Sequence, residues 1–362
     1  PAGVPDSACM LKLRTGTAAT AMITPPANTT ATSISNITLS GNNVGSGIHG
    51  IFMASNPTNI PNWVIQNVGI IGFTGDGIRG RLLATRWHNV YVGGNHGWGL
   101  NNTGSLAMTD SWFYQCIFNQ NVLGGMNFES SATSGSLHFS GCRVERSGWN
   151  EADELAPIST NAPGIRIAGN LSKADWVACS TDANSGHGLD IDQPAGRASA
   201  VLQFVGCSFN RDGFGDMSTL GDFAAVRIRG INTNYVERIT FVGCVTTTGR
   251  ASDVSGEPSG YLHPKYGMWL ERTTFLSING GSIGDNHTVP VYGGVAGLGE
   301  NYRALINTRI GGSGGPGKSL NVIAGGDTAE RPDAWQGALY MNFETAHLEV
   351  CLDGANWTSV GP

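Results

Sequence analysis

Short runs of alternating apolar and polar residues recur along the chain, and each changes phase at a small residue that precedes a cysteine. The pattern is clearest in LHFSGCRVE (137–145), WVACSTD (176–182), LQFVGCSFN (202–210) and ITFVGCVTT (239–247). Apolar residues at the i, i+3, i+4 spacing of an amphipathic helix are absent. Alternation with a period of two predicts β-strands, and the change of phase predicts a bend between two of them.

The same phrase, counted from its cysteine as position zero, continues through the chain at intervals of 22 to 37 residues. Position zero is occupied in turn by Ile37, Val68, Val90, Cys116, Cys142, Cys179, Cys207, Cys244, Gly281 and Thr308. A further strand follows most copies, as in GIFM (50–53), GIRI (164–167), GLDI (188–191) and GMWL (267–270). Repeats of this length bury their apolar face only against neighbouring repeats. We therefore predict an all-β protein, a right-handed parallel β-helix of about ten rungs with three strands per rung.

The cysteines and the composition narrow the class of protein further. Five of the 7 cysteines share one position of the repeat, so we expect a ladder of buried thiols, and no CxxC or HxxxH spacing indicates zinc. The 53 glycines suit many tight corners, and a net charge of −6 disfavours a nucleic-acid partner. No apolar run is long enough to insert into a membrane. Because the chain starts at Pro1, we expect a further amino-terminal region in a longer protein.

The repeat pattern ends near the carboxyl terminus and a Gly-rich stretch follows. We expect the β-helix to occupy 1–310, a Gly-rich linker to occupy 311–330, and a small antiparallel β-meander to occupy 331–362. The meander is expected to cap the exposed last rung, to assist trimerisation or to contact carbohydrate.

The string TAERPDAWQGALYMNFETAHLEVCLDGANW (328–357) resembles a segment that ends many phage tail-fibre and tailspike proteins. The matching positions are Arg331, Pro332, Gly337, Tyr340, Asn342, Asp353, Gly354 and Trp357. The β-helix resembles the pectate-lyase-like superfamily in architecture. Together these resemblances imply a tailspike depolymerase, a homotrimer of the virion tail that folds in the host cytoplasm and acts outside the cell. They imply attachment to the phage tail through the amino-terminal region, and binding and cleavage of a capsule, O-antigen or exopolysaccharide.

Strand parity predicts which side chains face outward. Three residues after position zero, neighbouring rungs carry Glu145 and Asp182, which should lie about 5 Å apart at the backbone. Glycosidases place two carboxylates on either side of the scissile bond at separations that such a pair satisfies. We therefore predict a glycoside hydrolase with Glu145 and Asp182 as its catalytic pair, the alternative being an ordinary solvated face.

His187, in SGHGLDID (185–192), is a further catalytic candidate through proton transfer, or else a structural turn histidine. The outward positions and the insertions 148–163, 212–223 and 248–266 are expected to line a groove. Its predicted substrate-binding residues are Arg146, Trp149, Arg166, Asp190, Asp192, Arg211, Arg227, Tyr261 and Trp269. Three other tryptophans, Trp63, Trp87 and Trp176, fall at inward positions and are expected in the core.

Two other functions remain open on the sequence. In a lyase, Asp182, Asp190 and Asp192 would hold calcium, and Arg211 or Arg227 would abstract a proton from a uronate. A non-catalytic receptor-binding fibre would use the same groove for adhesion alone. Hydrolysis requires no cofactor and no metal.

Overall fold

The computed structural model describes residues 9–25, 32–53, 62–105, 107–149, 158–193, 199–214, 222–230, 236–250, 262–271, 275–285, 287–293, 303–312, 315–322, 324–326, 339–342, 347–351 and 357–359. Every regular element within these ranges is a β-strand. The described residues contain no helix of the length and apolarity needed to cross a membrane.

Within the described ranges the strands form two long sheets and two small ones. The larger sheet contains β1 (Met10–Lys12), β3 (Ser33–Ser40), β5 (Val64–Ile71), β7 (Arg86–Gly93), β9 (Thr109–Tyr114), β10 (Ile117–Asn119), β12 (Gly135–Ser140), β13 (Arg143–Glu145), β15 (Leu171–Val177), β16 (Ser180–Asp182), β18 (Ser199–Val205), β19 (Ser208–Asn210), β21 (Val236–Val242), β22 (Val245–Thr247), β26 (Phe275–Asp285), β28 (Arg303–Gly312) and β29 (Gly315–Val322). The second contains β2 (Ala21–Ile23), β4 (His49–Met53), β6 (Ile78–Gly80), β8 (Trp98–Asn102), β11 (Gly124–Phe128), β14 (Ile165–Ile167), β17 (Leu189–Gln193), β20 (Ala224–Gly230), β25 (Tyr266–Glu271) and β27 (Val289–Gly293). The small sheets are β23 (Gly249–Arg250) with β24 (Leu262–His263), and β30 (Ala324–Gly326) with β31 (Leu339–Asn342), β32 (His347–Cys351) and β33 (Trp357–Ser359).

One turn of the solenoid consists of three consecutive strands, such as β15, β16 and β17. Each strand pairs in parallel with the equivalent strand of the next turn: β15 with β18, β16 with β19 and β17 with β20. This is the topology of a parallel β-helix, so the predicted fold class is confirmed.

The predicted bend lies at the residue before position zero. Gln115, Ala178, Gly206 and Gly243 occupy this position and have φ between 51° and 63°. This left-handed conformation bends the strand and changes the phase of its alternation. The apolar side chains therefore face inward both before and after the bend. Three earlier rungs carry asparagine there, and Asn67 donates to Asn36 as Asn89 donates to Asn67, at 3.0 and 2.9 Å.

The core consists of stacked columns of like side chains. Trp87, Phe113, Phe139, Trp176, Phe204 and Phe241 form a continuous ring stack with centroids 4.7 to 5.7 Å apart. Burial of each such ring contributes about 1.5 to 3 kcal/mol. Trp63, Trp87 and Trp176 are at most 4% exposed, as predicted.

The cysteines of position zero form the expected buried column of free thiols, from Cys116 to Cys244. A hydrogen bond with the thiol of Cys142, together with burial, raises the pKa of Cys179 to about 12. The thiols therefore stay protonated and act as small core residues.

The carboxyl-terminal strands differ in part from the prediction. Strands β31, β32 and β33 form the predicted antiparallel meander. The segment predicted as a linker instead contains β29 and β30, because β29 pairs antiparallel with β28. This hairpin satisfies backbone groups of β28 that a flexible linker would leave unpaired at the edge of the sheet.

Candidate functional site

A column of polar side chains runs along the outer face of the short strands that follow the bend. The strand registers place Asn119, Glu145, Asp182, Asn210 and Thr247 directly beside one another on successive rungs. We call these five residues the carboxylate column. The predicted pairing of Glu145 with Asp182 is therefore present, although 37 residues of sequence separate them.

Each carboxylate of the column is held by an arginine. Arg143, which lies on the same strand face as Glu145, donates to its Oε2 at 2.6 Å. Arg211 belongs to the next rung and binds Asp182 with two hydrogen bonds, one from Nε at 2.7 Å and a shorter one from Nη2. The side chains of Glu145 and Asp182 are 19% and 22% exposed. Both carboxylates therefore meet solvent while their charges are balanced from the side.

A second outward column lies on the strands after the next corner. Asn127, Arg166, Asp190, Arg227 and Trp269 occupy equivalent positions on successive rungs. We call these residues the arginine column. Arg227 grips Asp190 through Nε and Nη2 at 2.8 and 2.9 Å, and the side chain of Asp190 is only 8% exposed.

Asp192 repeats this arrangement two residues along β17. It accepts hydrogen bonds from Nε and Nη2 of Arg229 at 3.0 and 2.7 Å. Burial opposes ionisation of Asp192, but the hydrogen bond and charge of Arg229 outweigh burial and lower its pKa. Arg166 faces Glu129 across 3.7 Å. The column is thus a row of ion pairs.

His187 differs from the prediction of a proton-transfer residue at the surface. It is 4% exposed, and its Nδ1 accepts a hydrogen bond from the backbone N–H of Ala224 at 2.9 Å. Burial lowers its pKa to about 4, so the imidazole is neutral. The ring supports the corner of the next rung, as the turn-histidine alternative proposed. His49 makes the same contact with the N–H of Asp76 at 2.8 Å, also before a glycine.

Trp149 also differs from the prediction, which expected an exposed ring for stacking on sugars. It is 2% exposed, and its indole N–H donates to the carbonyl of Ala183 at 3.1 Å. It packs with Ala183 and Phe214 in a small cluster beneath the first two insertions. Apolar residues at the base of long loops are commonly buried in such satellite clusters. Trp149 therefore anchors its insertion.

The remaining predicted contacts lie in different environments. Arg146 is exposed and adopts φ of 52° at the corner next to Glu145. Trp269 is half-buried, with its ring 5.2 Å from that of Tyr266 and 6.2 Å from that of His187. Tyr261 and the central parts of the three insertions lie outside the described residues.

A buried polar ladder inside the corner was not predicted. Five residues after position zero, Asn95, Asn121, Asn184 and Asp212 face inward, and each is 0% exposed. Asn95 donates to Asn121 at 2.8 Å, and Asn184 donates to Asp212 at 2.7 Å. The recurrence of asparagine at this position is visible in the sequence and could have identified the ladder.

Asp212 joins the two strands that carry the polar columns. Its Oδ2 accepts from the hydroxyl of Thr181 at 2.8 Å, and an added Cβ on Gly188 would lie 2.1 Å from the same oxygen. Thr181 precedes Asp182, and Gly188 precedes the strand of Asp190. Burial raises the pKa of Asp212 to about 8. This carboxyl therefore fixes the spacing between the columns.

The same geometry bears on metal binding. Among the described residues, no three His, Cys, Asp or Glu side chains converge in a way that could hold an ion. Asp182, Asp190 and Asp192 each face an arginine, which occupies the carboxylate oxygens that calcium would need. The described donor set does not fit a calcium site.

Comparison with known proteins gives a likeness in structure only. No protein-family model and no curated protein sequence matches the chain. Similar solved structures include full-length tailspike protein 2 of an Escherichia coli O157:H7 bacteriophage, which is 14% identical with a TM-score of 0.41 over 72% of this chain and 36% of that chain. Tailspike protein 3 of bacteriophage CBA120 is 14% identical with a TM-score of 0.34, over 97% of this chain and 58% of that chain. The ORF18 protein of Geobacillus virus E2 is 11% identical with a TM-score of 0.34, over 91% and 67%. The chain thus spans about a third to two thirds of the length of these proteins.

Proposed function

We propose that this chain is the body of a phage tailspike that cleaves a bacterial surface polysaccharide by glycosidic hydrolysis. The observation that carries the proposal is the register of Glu145 with Asp182 on adjacent rungs, both side chains being partly exposed on one face. Strands in a sheet are about 4.8 Å apart. Two carboxyl groups on such strands can reach the separations that glycosidases use for retention or inversion.

The contacts of the two carboxylates suggest different roles. Asp182 is bound through both oxygens by Arg211, which fixes the position of its carboxylate, and we assign it the role of nucleophile or base. Glu145 receives a hydrogen bond from Arg143 on Oε2, and we assign it the role of general acid. In this arrangement Glu145 protonates the leaving oxygen of the sugar, and Asp182 attacks the anomeric carbon or activates water.

The face around the pair carries polar groups that suit a hydroxyl-rich chain. Next to Glu145, the amide oxygen of Asn119 is buried and has no hydrogen-bond donor among the described residues, while its nitrogen donates to the hydroxyl of Tyr91 at 3.1 Å. Arg146, Asn210 and Thr247 extend the row of polar groups. The arginine column supplies further contacts through Arg166, Arg227 and Trp269. A polysaccharide that follows the helix axis would meet one rung after another.

Replacement of each carboxylate by its amide tests the proposal. Glu145→Gln and Asp182→Asn should each lower the release of reducing ends from the cognate polysaccharide by about 10² to 10⁴-fold. Asp110→Asn is the matched control, since Asp110 is an exposed carboxylate away from both columns. Unchanged release in the double variant would refute the site. The bacterial surface polysaccharides to be screened are capsule, O-antigen and exopolysaccharide preparations.

The alternative of a non-catalytic receptor-binding fibre rests on the arginine partners of every column carboxylate, because such pairs also occur on an ordinary solvated face. It predicts polysaccharide binding without new reducing ends.

Assembly as a homotrimer and attachment to a phage tail belong to the same proposal. Light scattering of the purified chain should give three times its 37.9 kDa mass, and a monomeric mass would refute the trimer for this chain.

A further inference from the structure

The outer face of the larger sheet carries a second feature, on the strands before the bend and away from both polar columns. Two rings are followed there by two smaller side chains in one column: His88, Tyr114, Ser140 and Val177 occupy equivalent positions on four successive rungs. The rings of His88 and Tyr114 are stacked, with centroids 5.0 Å apart and planes inclined by 20°. One face of Tyr114 is therefore covered by the preceding rung.

The opposite face of Tyr114 points toward the rung of Ser140, where the ring column is interrupted. On the inner side of the same sheet the ring stack is continuous across these rungs, and Phe113, Phe139 and Trp176 follow one another at 4.8 and 5.1 Å. Phe139 fills this rung of the inner column. The next residue, Ser140, faces outward on the same rung, where its small side chain leaves space. Two rung spacings, about 10 Å, separate Tyr114 from Val177. The gap has the thickness of one six-membered ring in contact on both sides.

The side chains on either side of the gap are exposed to solvent. Tyr114 and Val177 are 38% and 39% exposed, although both are large and apolar. An exposed aromatic face next to a vacant rung is a stacking surface for an apolar ring face.

Polar groups line one edge of the gap. His138 lies on the rung of Ser140, and its ring stacks on Trp112 with centroids 5.6 Å apart. Its Nδ1 pairs with Oδ1 of Asp175 on the next rung at 2.5 Å. Arg86 covers the other face of Trp112, with its guanidinium carbon 5.7 Å from the ring centroid. This neighbouring column contains one guanidinium, Arg86, and one carboxylate, Asp175, so it suits neutral hydroxyl groups better than a charged ligand.

We propose that the gap between Tyr114 and Val177, closed at its base by Ser140 and edged by His138 and Asp175, is a binding subsite for one pyranose ring of a neutral glycan. The apolar face of the sugar stacks on Tyr114, and its hydroxyl groups meet His138, Asp175 and Ser140. The proposal deepens the proposed function, because it gives the polysaccharide a contact outside the carboxylate column. It concerns binding alone and takes no part in bond cleavage.

The subsite can be tested by filling it from the protein side. Ser140→Phe completes the outer ring column, so the variant should fold with an unchanged melting temperature while it occupies the gap. Tyr114→Ala removes the stacking surface instead. Gln203→Ala is the control, since Gln203 lies on the same outer face two rungs beyond His138. Saturation-transfer NMR with methyl glucoside, methyl galactoside, methyl mannoside and methyl N-acetylglucosaminide measures binding of a single ring.

At least one glycoside should show transfer to its ring protons with the wild-type protein, and Ser140→Phe and Tyr114→Ala should weaken that binding by about tenfold. Gln203→Ala and the double variant Glu145→Gln/Asp182→Asn should retain it, which separates this subsite from the catalytic proposal. If no glycoside binds, or if Ser140→Phe and Tyr114→Ala bind as the wild type does, the proposal is overturned. A change in oligomeric mass in these two variants would overturn it as well and would make this face a subunit interface.

Discussion

Replacement of the buried carboxyl Asp212 by the amide that other rungs use should stabilise the protein at alkaline pH. Asp212 is 0% exposed and occupies the ladder position that Asn95, Asn121 and Asn184 fill elsewhere. In Asp212→Asn, the new amide nitrogen can donate toward the strand of Thr181, as Asn184 donates to the carbonyl of Val144 at 3.1 Å. Its oxygen can still accept from the N–H of Asn184, which now bonds Asp212 at 3.2 Å.

The magnitude follows from the pKa. Burial raises the pKa of Asp212 from 3.8 to about 8, although hydrogen bonds from Asn184 and Thr181 act in the opposite direction. Between these values the folded protein holds a proton that the unfolded chain releases, so stability falls as pH rises through this window. Each pKa unit corresponds to about 1.4 kcal/mol, which makes the full loss on the order of 5 kcal/mol. The asparagine variant has no such loss.

The assay is urea unfolding followed by tryptophan fluorescence at pH 5, 7 and 9, with Asp110→Asn as the control for an exposed carboxylate. Stability of Asp212→Asn should exceed that of the wild type by an amount that grows with pH, while the control difference stays flat. Where unfolding is irreversible, unfolding rates at one urea concentration give the same order. The reasoning is refuted if the Asp212→Asn difference does not change with pH, or if the variant is the less stable protein at pH 9.

Three further predictions follow from the site. Trp149→Ala should lower the free energy of unfolding by about 3 to 5 kcal/mol through the cavity beside Phe214, and a melting temperature equal to the wild type would contradict the anchoring role. In His187→Gln the loss of stability toward acid should diminish: the folded histidine protonates only near its pKa of about 4, so the contribution of His187 to stability falls by about 3 kcal/mol as pH drops from about 6.5 toward 4. Asp212 acts in the opposite sense over this range in both proteins, so the difference in urea midpoint between variant and wild type isolates the histidine, and this difference should rise as pH falls. Arg211→Ala should reduce kcat/KM for polysaccharide cleavage by at least about tenfold because Asp182 loses both hydrogen bonds, with Arg211→Lys intermediate; equal rates in all three proteins would show that Asp182 does not act.

The repeating features of the fold could be predicted from the sequence because every rung must bend at the same position and bury its apolar side chains. The phase change at Ala178 and Gly206 predicted the bend, and position zero predicted that Glu145 would meet Asp182. Strand parity likewise predicted which tryptophans are inward.

Features that depend on a single contact were not predictable in this way. Trp149 lies in an insertion, where no period indicates whether a ring faces solvent or folds back onto Ala183. His187 lies at a corner of the solenoid, yet its ring accepts a hydrogen bond from the N–H of Ala224 in the following rung. The glycines of 311–330 suggested a linker. Part of this segment instead forms β29, which pairs with β28 at the edge of the larger sheet. Tertiary hydrogen bonding decided each of these cases.

The most direct test of the central claim is mass spectrometry of the fragments that the wild-type chain releases from bacterial surface polysaccharides. Hydrolysis by Glu145 and Asp182 predicts fragments whose masses are whole repeat units plus one water, without an unsaturated chromophore, and their loss in Glu145→Gln and Asp182→Asn but not in Asp110→Asn. Fragments that lack the water and absorb as unsaturated sugars, or fragments that persist in the double amide variant, would contradict it.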